Sequence, residues 1–288
     1  MIRKALFCMI AALMLAGCHR SGSEAGRMPQ LTVSIEPLRA LLEPLARGRF
    51  EVVCVMDRAT DPETFEPSVS RRVAADASEA FFYTGAIPFE TALCRTLPDS
   101  VERISMLEAV EPIYGTHDHC TNSHDHSHGM PDPHIWTSAR NARGMAAAMA
   151  AGLTRLDPAG ADIYAARLDS LTARLDSLDA SVATRLAGAR QRAFVVWHPS
   201  LSYPARDYGL RQVALGAEGK DFSVSAMRDA VSEAREAGAA VMFVQRGSDS
   251  GRARSVAADA GVRLVELDLM DPDLNSLLNT FADELARP

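Results

Sequence analysis

Residues 161–187, ADIYAARLDSLTARLDSLDASVATRLA, decide how the rest of the chain is arranged. The stretch contains neither glycine nor proline, and apolar side chains recur in it every three or four residues. They are Leu168, Leu171, Leu175, Leu178, Val182 and Leu186. This spacing predicts one helix of about 40 Å with an apolar face, since an α-helix rises ~1.5 Å per residue. Such a face suits a dimeric coiled coil or a helix packed across two lobes, and we favour the second because α/β patterns flank it.

Short β-type runs alternate with helical patterns on both sides of this helix. The predicted strands are Leu31–Ile35, Glu51–Met56, Glu79–Thr84, Val101–Met106, Ala193–Trp197, Gln212–Leu215, Val241–Gln245 and Val262–Leu267. Strands that alternate with helices predict parallel sheets covered by helices on both faces. The predicted fold is therefore α/β, with two lobes joined by one long backbone helix. We assign residues 31–156 to an N-terminal lobe, 157–189 to the linking helix and 190–288 to a C-terminal lobe.

The first 30 residues predict export. Arg3 and Lys4 precede an apolar run that is too short to span a bilayer comfortably. Residues 15–18, Leu-Ala-Gly-Cys, resemble the bacterial lipobox, so we expect residues 1–17 to be a lipoprotein signal peptide and Cys18 to carry the lipid. A plain signal peptide with an incidental cysteine is the alternative. Residues 18–30 then form a flexible tether, and the mature chain is held at a membrane, periplasmic or at the cell surface.

Charge and cysteine content narrow the classes of partner. The formal net charge is −7 and there is no basic block, which argues against a nucleic-acid partner. Outside the leader and Cys18, the chain has three cysteines, Cys54, Cys94 and Cys120. Cys54 and Cys94 either form a disulfide or are two buried thiols, and the sequence leaves both possibilities open.

A histidine-rich loop at residues 117–130 points to metal binding. Six of the chain's eight histidines lie between residues 117 and 136, and five fall within a dozen residues. Those five are His117, His119, His124, His126 and His128. Imidazole is a common ligand of zinc, and the spacing has neither helical nor strand periodicity, so we interpret the segment as a metal-collecting loop that Cys120 can join. A solvated polar insertion without a role is the alternative.

Four further side chains follow predicted strands or a stiff segment. His134 follows Pro131-Asp132-Pro133, in which two prolines restrict the backbone. His198 and Asp268 stand at the carboxyl ends of predicted strands, and Glu63 lies in the loop after the second strand. Parallel sheets bind ligands at this edge, although each residue taken alone also has an ordinary structural explanation, such as a capping aspartate or a solvated acid.

The motifs together resemble those of one family, the ZnuA/TroA-like substrate-binding lipoproteins of bacterial zinc and manganese ABC importers. The resemblance covers essentially everything after the tether. It is carried by Ser34–Leu38, Asp61-Pro62 through Ser68, Asp132–Trp136, Val196–His198, Tyr203, Tyr208–Leu210, Gly219-Lys220 and Val265–Asp268. The resemblance implies two α/β lobes joined by a long helix, with a metal site in the cleft between them. It also implies an ABC permease and its ATPase as partners.

The resemblance assigns His134, His198 and Asp268 to the second, third and fourth metal ligands. The first position departs from the family, because Glu63 stands where a histidine is usual. Two imidazoles and two carboxylates suit zinc or manganese. His198 and the histidine-rich loop favour zinc, so we expect Zn²⁺ as the cargo and Mn²⁺ as the alternative.

Two other classes of function are less well supported by the sequence. A zinc hydrolase would need an open metal position and a general base, and the chain lacks an HExxH pair, a Gly-x-Ser-x-Gly elbow and a P-loop. We therefore expect a binding protein and no enzymatic activity. A metal-binding adhesin or storage lipoprotein on the same scaffold is the remaining alternative.

Overall fold

The computed structural model describes residues 28–56, 58, 62, 64–114, 129–215, 224–247 and 250–287. Within these residues, eight strands form two parallel four-stranded sheets, one before and one after the long helix. Helices flank both sheets, which confirms the predicted two-lobe α/β architecture. Nowhere in this part of the chain is a helix both long and apolar enough to cross a bilayer.

The first sheet contains β1 (Gln30–Val33), β2 (Glu51–Cys54), β3 (Ala80–Tyr83) and β4 (Glu102–Ser105). The strand order is β2-β1-β3-β4, and every neighbouring pair is parallel. The carboxyl ends of all four strands therefore lie at one edge of the sheet. The loops that follow them begin at this edge, where parallel sheets bind ligands.

Four helices cover this sheet: α1 (Glu36–Ala46), α2 (Val69–Asp76), α3 (Pro88–Thr96) and α4 (Ala139–Leu156). Proline occupies the first turn of α1 and α3, where its missing N–H is not needed. The side chain of Ser138 accepts a hydrogen bond from a backbone N–H in the first turn of α4. This cap marks the start of α4 at Ala139.

The long helix α5 (Ala161–Ala187) is confirmed, and it contributes to the cores of both lobes. Leu171 and Leu175 pack in the hydrophobic core of the first lobe. Leu178 and Val182 lie further along the same face and pack in the core of the second lobe. A fully buried leucine stabilises a fold by roughly 1.5–3 kcal/mol, so the apolar stripe joins the lobes through ordinary core packing.

The second sheet repeats the first, with β5 (Ala193–Val196), β6 (Arg211–Ala214), β7 (Val241–Gln245) and β8 (Arg263–Leu267). The order is β6-β5-β7-β8, again entirely parallel. The short helix α6 (Ser202–Tyr208) follows β5. The other helices of this lobe are α7 (Val224–Glu236), α8 (Ser250–Ala260) and α9 (Leu274–Ala286).

The structure decides the question left open for two of the cysteines. Cys54 and Cys94 are both free thiols, so the disulfide interpretation is wrong, and of the two thiols only Cys54 is buried, whereas Cys94 is half-buried. Cys54 is buried at the end of β2, and its Sγ lies 3.2 Å from the carbonyl oxygen of Met56. Burial raises the pKa of Cys54 to about 12. This thiol is therefore protonated at neutral pH.

Several predicted features lie outside the described residues. They are the leader 1–17, Cys18, most of the tether, Cys120, Glu63 and the loop histidines His117, His119, His124, His126 and His128. Strand β1 begins at Gln30, so the last residue assigned to the tether belongs to the first sheet.

Candidate metal centre

His134 is held rigidly by the segment that precedes α4. The residue is buried, with 2% of its surface exposed, and it leads into a 3-10 turn at Ile135–Thr137. Asp132 fixes it twice, because Oδ1 of Asp132 accepts a hydrogen bond from the backbone N–H of His134 and lies 2.9 Å from its ring Nδ1. With Nδ1 assigned as the donor, Nε2 becomes the nitrogen that can bind a cation.

The carboxylate of Asp132 is suited to this contact. Burial raises the pKa of Asp132, but the hydrogen bond and the electrostatic attraction from His134 outweigh it, and the net pKa lies below the ordinary value. An ionised Asp132 fixes the orientation of the imidazole. A carboxylate in this position is the usual partner of a metal-binding histidine.

His198 lies beside His134, although 64 residues separate them in the sequence. It follows β5, and its ring centroid is 5.1 Å from that of His134, with an angle of 62° between the ring planes. Two imidazoles bound to one tetrahedral zinc ion at ~2.0–2.1 Å have centroids roughly 5 Å apart. The observed separation is compatible with a shared ion.

Asp268 follows β8, and its carboxylate is already engaged. Its Oδ1 accepts a hydrogen bond from the backbone N–H of Met270 at 3.1 Å. Its Oδ2 accepts two hydrogen bonds from Arg58, from Nη2 at 2.7 Å and from Nε at 3.0 Å. Arg58 follows β2 in the first lobe, so this ion pair connects the two lobes.

The described structure thus brings together part of the predicted ligand set. His134 and His198 are adjacent, whereas Asp268 is paired with Arg58 and Glu63 lies outside the described residues. No group of three or more His, Cys, Asp or Glu side chains in the described part of the chain has a geometry that could hold a metal ion. The assignment of Glu63, His134, His198 and Asp268 as ligands therefore stays a prediction.

Three hydrogen bonds between the lobes fix this centre. Trp136 donates its indole N–H to the carbonyl oxygen of Leu269, at 2.8 Å. The Tyr203 hydroxyl donates to the carbonyl oxygen of Asp132 at 2.8 Å and accepts from the backbone N–H of Ile113 at 3.3 Å. The backbone next to His134 is therefore tied to the second lobe on two sides.

Arg206 of α6 extends this contact between the lobes. Its guanidinium donates to the carbonyl oxygen of Glu111 at 2.8 Å and to the amide oxygen of Asn141 at 3.1 Å. The same guanidinium lies over the Tyr203 ring, 5.1 Å from its centroid. The planar guanidinium of an arginine can stack on an aromatic ring and donate hydrogen bonds in its own plane at the same time, which suits a polar interface.

Three residues shape this centre in ways that the sequence does not predict. In the sequence Asp132 stands out only by its place between two prolines and Tyr203 only as part of a motif, and nothing distinguishes Arg58. The Asp-x-His spacing carries a usable signal for Asp132, because a carboxylate two residues away can reach the histidine ring. No local pattern marks Arg58, since its partner lies 210 residues further along the chain.

The chain matches the family model described as "Zinc-uptake complex component A periplasmic" (ZnuA) over residues 31–285. It is 24% identical over 280 residues to the zinc-binding lipoprotein AdcA of Streptococcus pneumoniae serotype 4, an alignment that covers 93% of this chain and 54% of AdcA. The chain thus spans about half the length of the curated relatives that it matches.

Solved structures share the fold. A zinc-bound ZnuA carrying a deletion of its residues 138–173 superposes with a TM-score of 0.80 at 27% identity, covering 90% of this chain and 97% of that one. A manganese-bound periplasmic metal-binding protein from Candidatus Liberibacter asiaticus gives a TM-score of 0.77 at 19% identity, covering 89% and 99%, and shows the fold alone. Proteins of this family are solute-binding proteins and not enzymes. With most of its length matched by the family model, the chain belongs to the ZnuA family of periplasmic zinc-uptake components.

Proposed function

We propose that this protein captures zinc outside the cytoplasmic membrane and delivers it to an ABC permease that works with its own ATPase. The observation that carries the proposal is the pair of imidazoles, His134 and His198, contributed by different lobes with ring centroids 5.1 Å apart. The zinc-binding relatives support zinc as the cargo. The orientation of His134 by Asp132 adds to this support, because zinc-binding histidines commonly donate their other nitrogen to a carboxylate.

The proposed ligand set is Glu63, His134, His198 and Asp268. Two nitrogen and two oxygen ligands satisfy the four positions that zinc prefers. The two carboxylates would make the site harder than one built mainly from histidines, so manganese is the second candidate. The manganese-bound structure with this fold shows that the scaffold accommodates that ion in a distant protein.

The remaining parts of the chain have proposed roles in collection and anchoring. Metal would be collected near the centre by His117, His119, His124, His126 and His128, because ligands tethered close to a binding site act at ~mM effective concentration. Lipid on Cys18 would hold the mature protein at the membrane, close to the permease. An adhesin or storage role would use the same cation site without the permease.

A competition titration tests the cation site. Mature protein and its variants are titrated with zinc and with manganese against a chromophoric chelator of known affinity. We expect one tight zinc site, which His134→Ala or His198→Ala removes and Glu63→Ala weakens. Deletion of residues 117–128 should lower the stoichiometry and leave the tight site. Tight zinc binding by both histidine variants would refute the assignment.

A growth experiment tests delivery. Deletion of the gene in its host should prevent growth in zinc-depleted medium, and added zinc should restore it. The His134→Ala variant should fail to complement the deletion. Normal growth of the deletion strain without zinc would favour the adhesin or storage role.

A further inference from the structure

Arg58 occupies the oxygen through which Asp268 would bind a cation. Both Nη2 and Nε of Arg58 donate to Oδ2 of Asp268, at 2.7 and 3.0 Å. The guanidinium also reaches Oδ2 of Asp271, at 3.1 Å. The other oxygen of Asp268 accepts the N–H of Met270, which fixes the orientation of the carboxylate. Oδ2 is consequently the oxygen that the arginine and an incoming cation would share.

A guanidinium and a divalent cation that bind the same carboxylate oxygen repel each other. Arginine keeps its charge under all ordinary conditions, and the hydrogen bond to Asp268 raises the pKa of Arg58 further. Two positive charges within a few ångströms repel each other strongly, even at an effective dielectric constant of about 20. A cation that binds Asp268 through Oδ2 must therefore displace Arg58 or accept this repulsion.

Displacement of Arg58 from Asp268 requires only the movement of an exposed side chain. The Arg58 side chain is 45% exposed, whereas that of Asp268 is only 13% exposed. The arginine can therefore rotate into solvent while the aspartate stays in place. Arg246 provides a weaker second contact to the same oxygen at 3.4 Å, and it is more exposed still. The ion pair with Arg58 is thus the main interaction that metal binding would have to break.

We propose that Arg58 is a built-in competitor of the metal for Asp268, which lowers the affinity of the site for zinc. This inference rests on the proposed function, and specifically on Asp268 as a ligand. Zinc capture exchanges the Arg58 guanidinium for the ion on Oδ2, and zinc release is assisted by its return. Because the arginine comes from the first lobe and the aspartate from the second, the returning ion pair also restores a contact between the lobes.

The size of the effect follows from the exposure of the pair. Exposed ion pairs contribute modestly, so removal of the competitor should tighten zinc binding by about three- to fivefold. Salt screens the pair of charges, and the difference between parent and variant should shrink as the ionic strength increases.

The test is a zinc competition titration of Arg58→Gln, with Arg143→Gln as the matched control. Arg143 forms an exposed ion pair with Asp176 and loses the same unit of charge away from the centre. We expect about three- to fivefold tighter binding for Arg58→Gln and a change below about twofold for the control. In an Asp268→Ala background, Arg58→Gln should have no further effect, because the competitor acts only through that carboxylate.

The possible results separate the inference from the proposed function. Unchanged or weaker zinc binding by Arg58→Gln would overturn the competitor role while His134→Ala still loses the tight site. An equal gain in the Asp268→Ala background would also overturn it, because the effect would then be one of net charge. If His134→Ala binds zinc as tightly as the parent, the proposed function itself fails. A chemical denaturation curve for each variant shows that it is folded.

Discussion

Replacement of Asp132 by alanine should weaken zinc binding about 10- to 100-fold, although Asp132 is not one of the four proposed ligands. The reason is its double contact with His134, in which a single oxygen accepts from the backbone N–H and lies 2.9 Å from ring Nδ1. Without this oxygen, neither the tautomer nor the rotation of the imidazole is fixed. The centre would then have to order the ring at the moment of binding.

A second variant separates the expected loss of zinc affinity into the contribution of the acceptor oxygen and that of the negative charge. Asp132→Asn keeps an acceptor oxygen in place but removes the charge, so it should lose less than about tenfold, whereas Asp132→Ala loses both. Asp132→Ala should also lower the free energy of unfolding by about 1–3 kcal/mol, because the buried N–H of His134 loses its acceptor.

The assay is the same chelator competition, and Asp176→Ala serves as the control. Asp176 is 49% exposed on α5 and pairs with Arg143, so its removal changes net charge equally without touching the centre. Zinc affinity of the control should match that of the parent. Parental affinity in Asp132→Ala, alongside loss of binding in His134→Ala, would show that the orientation argument is wrong.

Three further predictions concern stability and reactivity. Glu90→Ala should lower the free energy of unfolding, measured by urea denaturation, by about 3 kcal/mol. The reason is that the fully buried Glu90 side chain accepts hydrogen bonds from three backbone N–H groups and one hydroxyl in the loop after β3. A loss below about 1 kcal/mol would contradict this. Gly144→Ala should destabilise α4 by about 1–3 kcal/mol, since its Cβ would overlap the carbonyl oxygen of Ala109, whereas Gly188→Ala meets nothing closer than 3.8 Å and should be nearly neutral in the same assay. Burial raises the pKa of Cys54 to about 12, so this cysteine should stay unlabelled by a thiol reagent at pH 8 until the protein unfolds. Rapid labelling of Cys54 itself in the native protein, identified by peptide mass analysis, would disprove its burial.

The sequence predicts the elements well because their signals are local. The apolar period of α5 and the alternation of strands with helices depend only on neighbouring residues, and the observed bounds differ from the predicted ones by a residue or two at most ends. The disulfide state stayed open at the level of the sequence, because Cys54 and Cys94 belong to different elements and only the fold determines the distance between them.

The candidate centre was predictable only in part. Strand ends and the rigid Pro-Asp-Pro segment indicate which side chains reach the functional edge of each sheet. Their mutual distances depend on how the lobes dock, and no local pattern encodes the 5.1 Å between His134 and His198. The same limit hid Arg58, which looks like an ordinary surface arginine until Asp268 is placed beside it.

The contacts between the lobes determine which movements have a low free-energy cost. Any opening that separates His134 from His198 would strain the bonds from Trp136 to Leu269 and from Tyr203 to Asp132. Each such bond contributes about 0.5–1.5 kcal/mol, and α5 packs in both cores. Rotation of an exposed arginine costs far less, because its hydrogen bonds are replaced by water. If the centre binds zinc as proposed, metal exchange would therefore need only side-chain movement at the rim of the centre, with the two lobes keeping their relative positions.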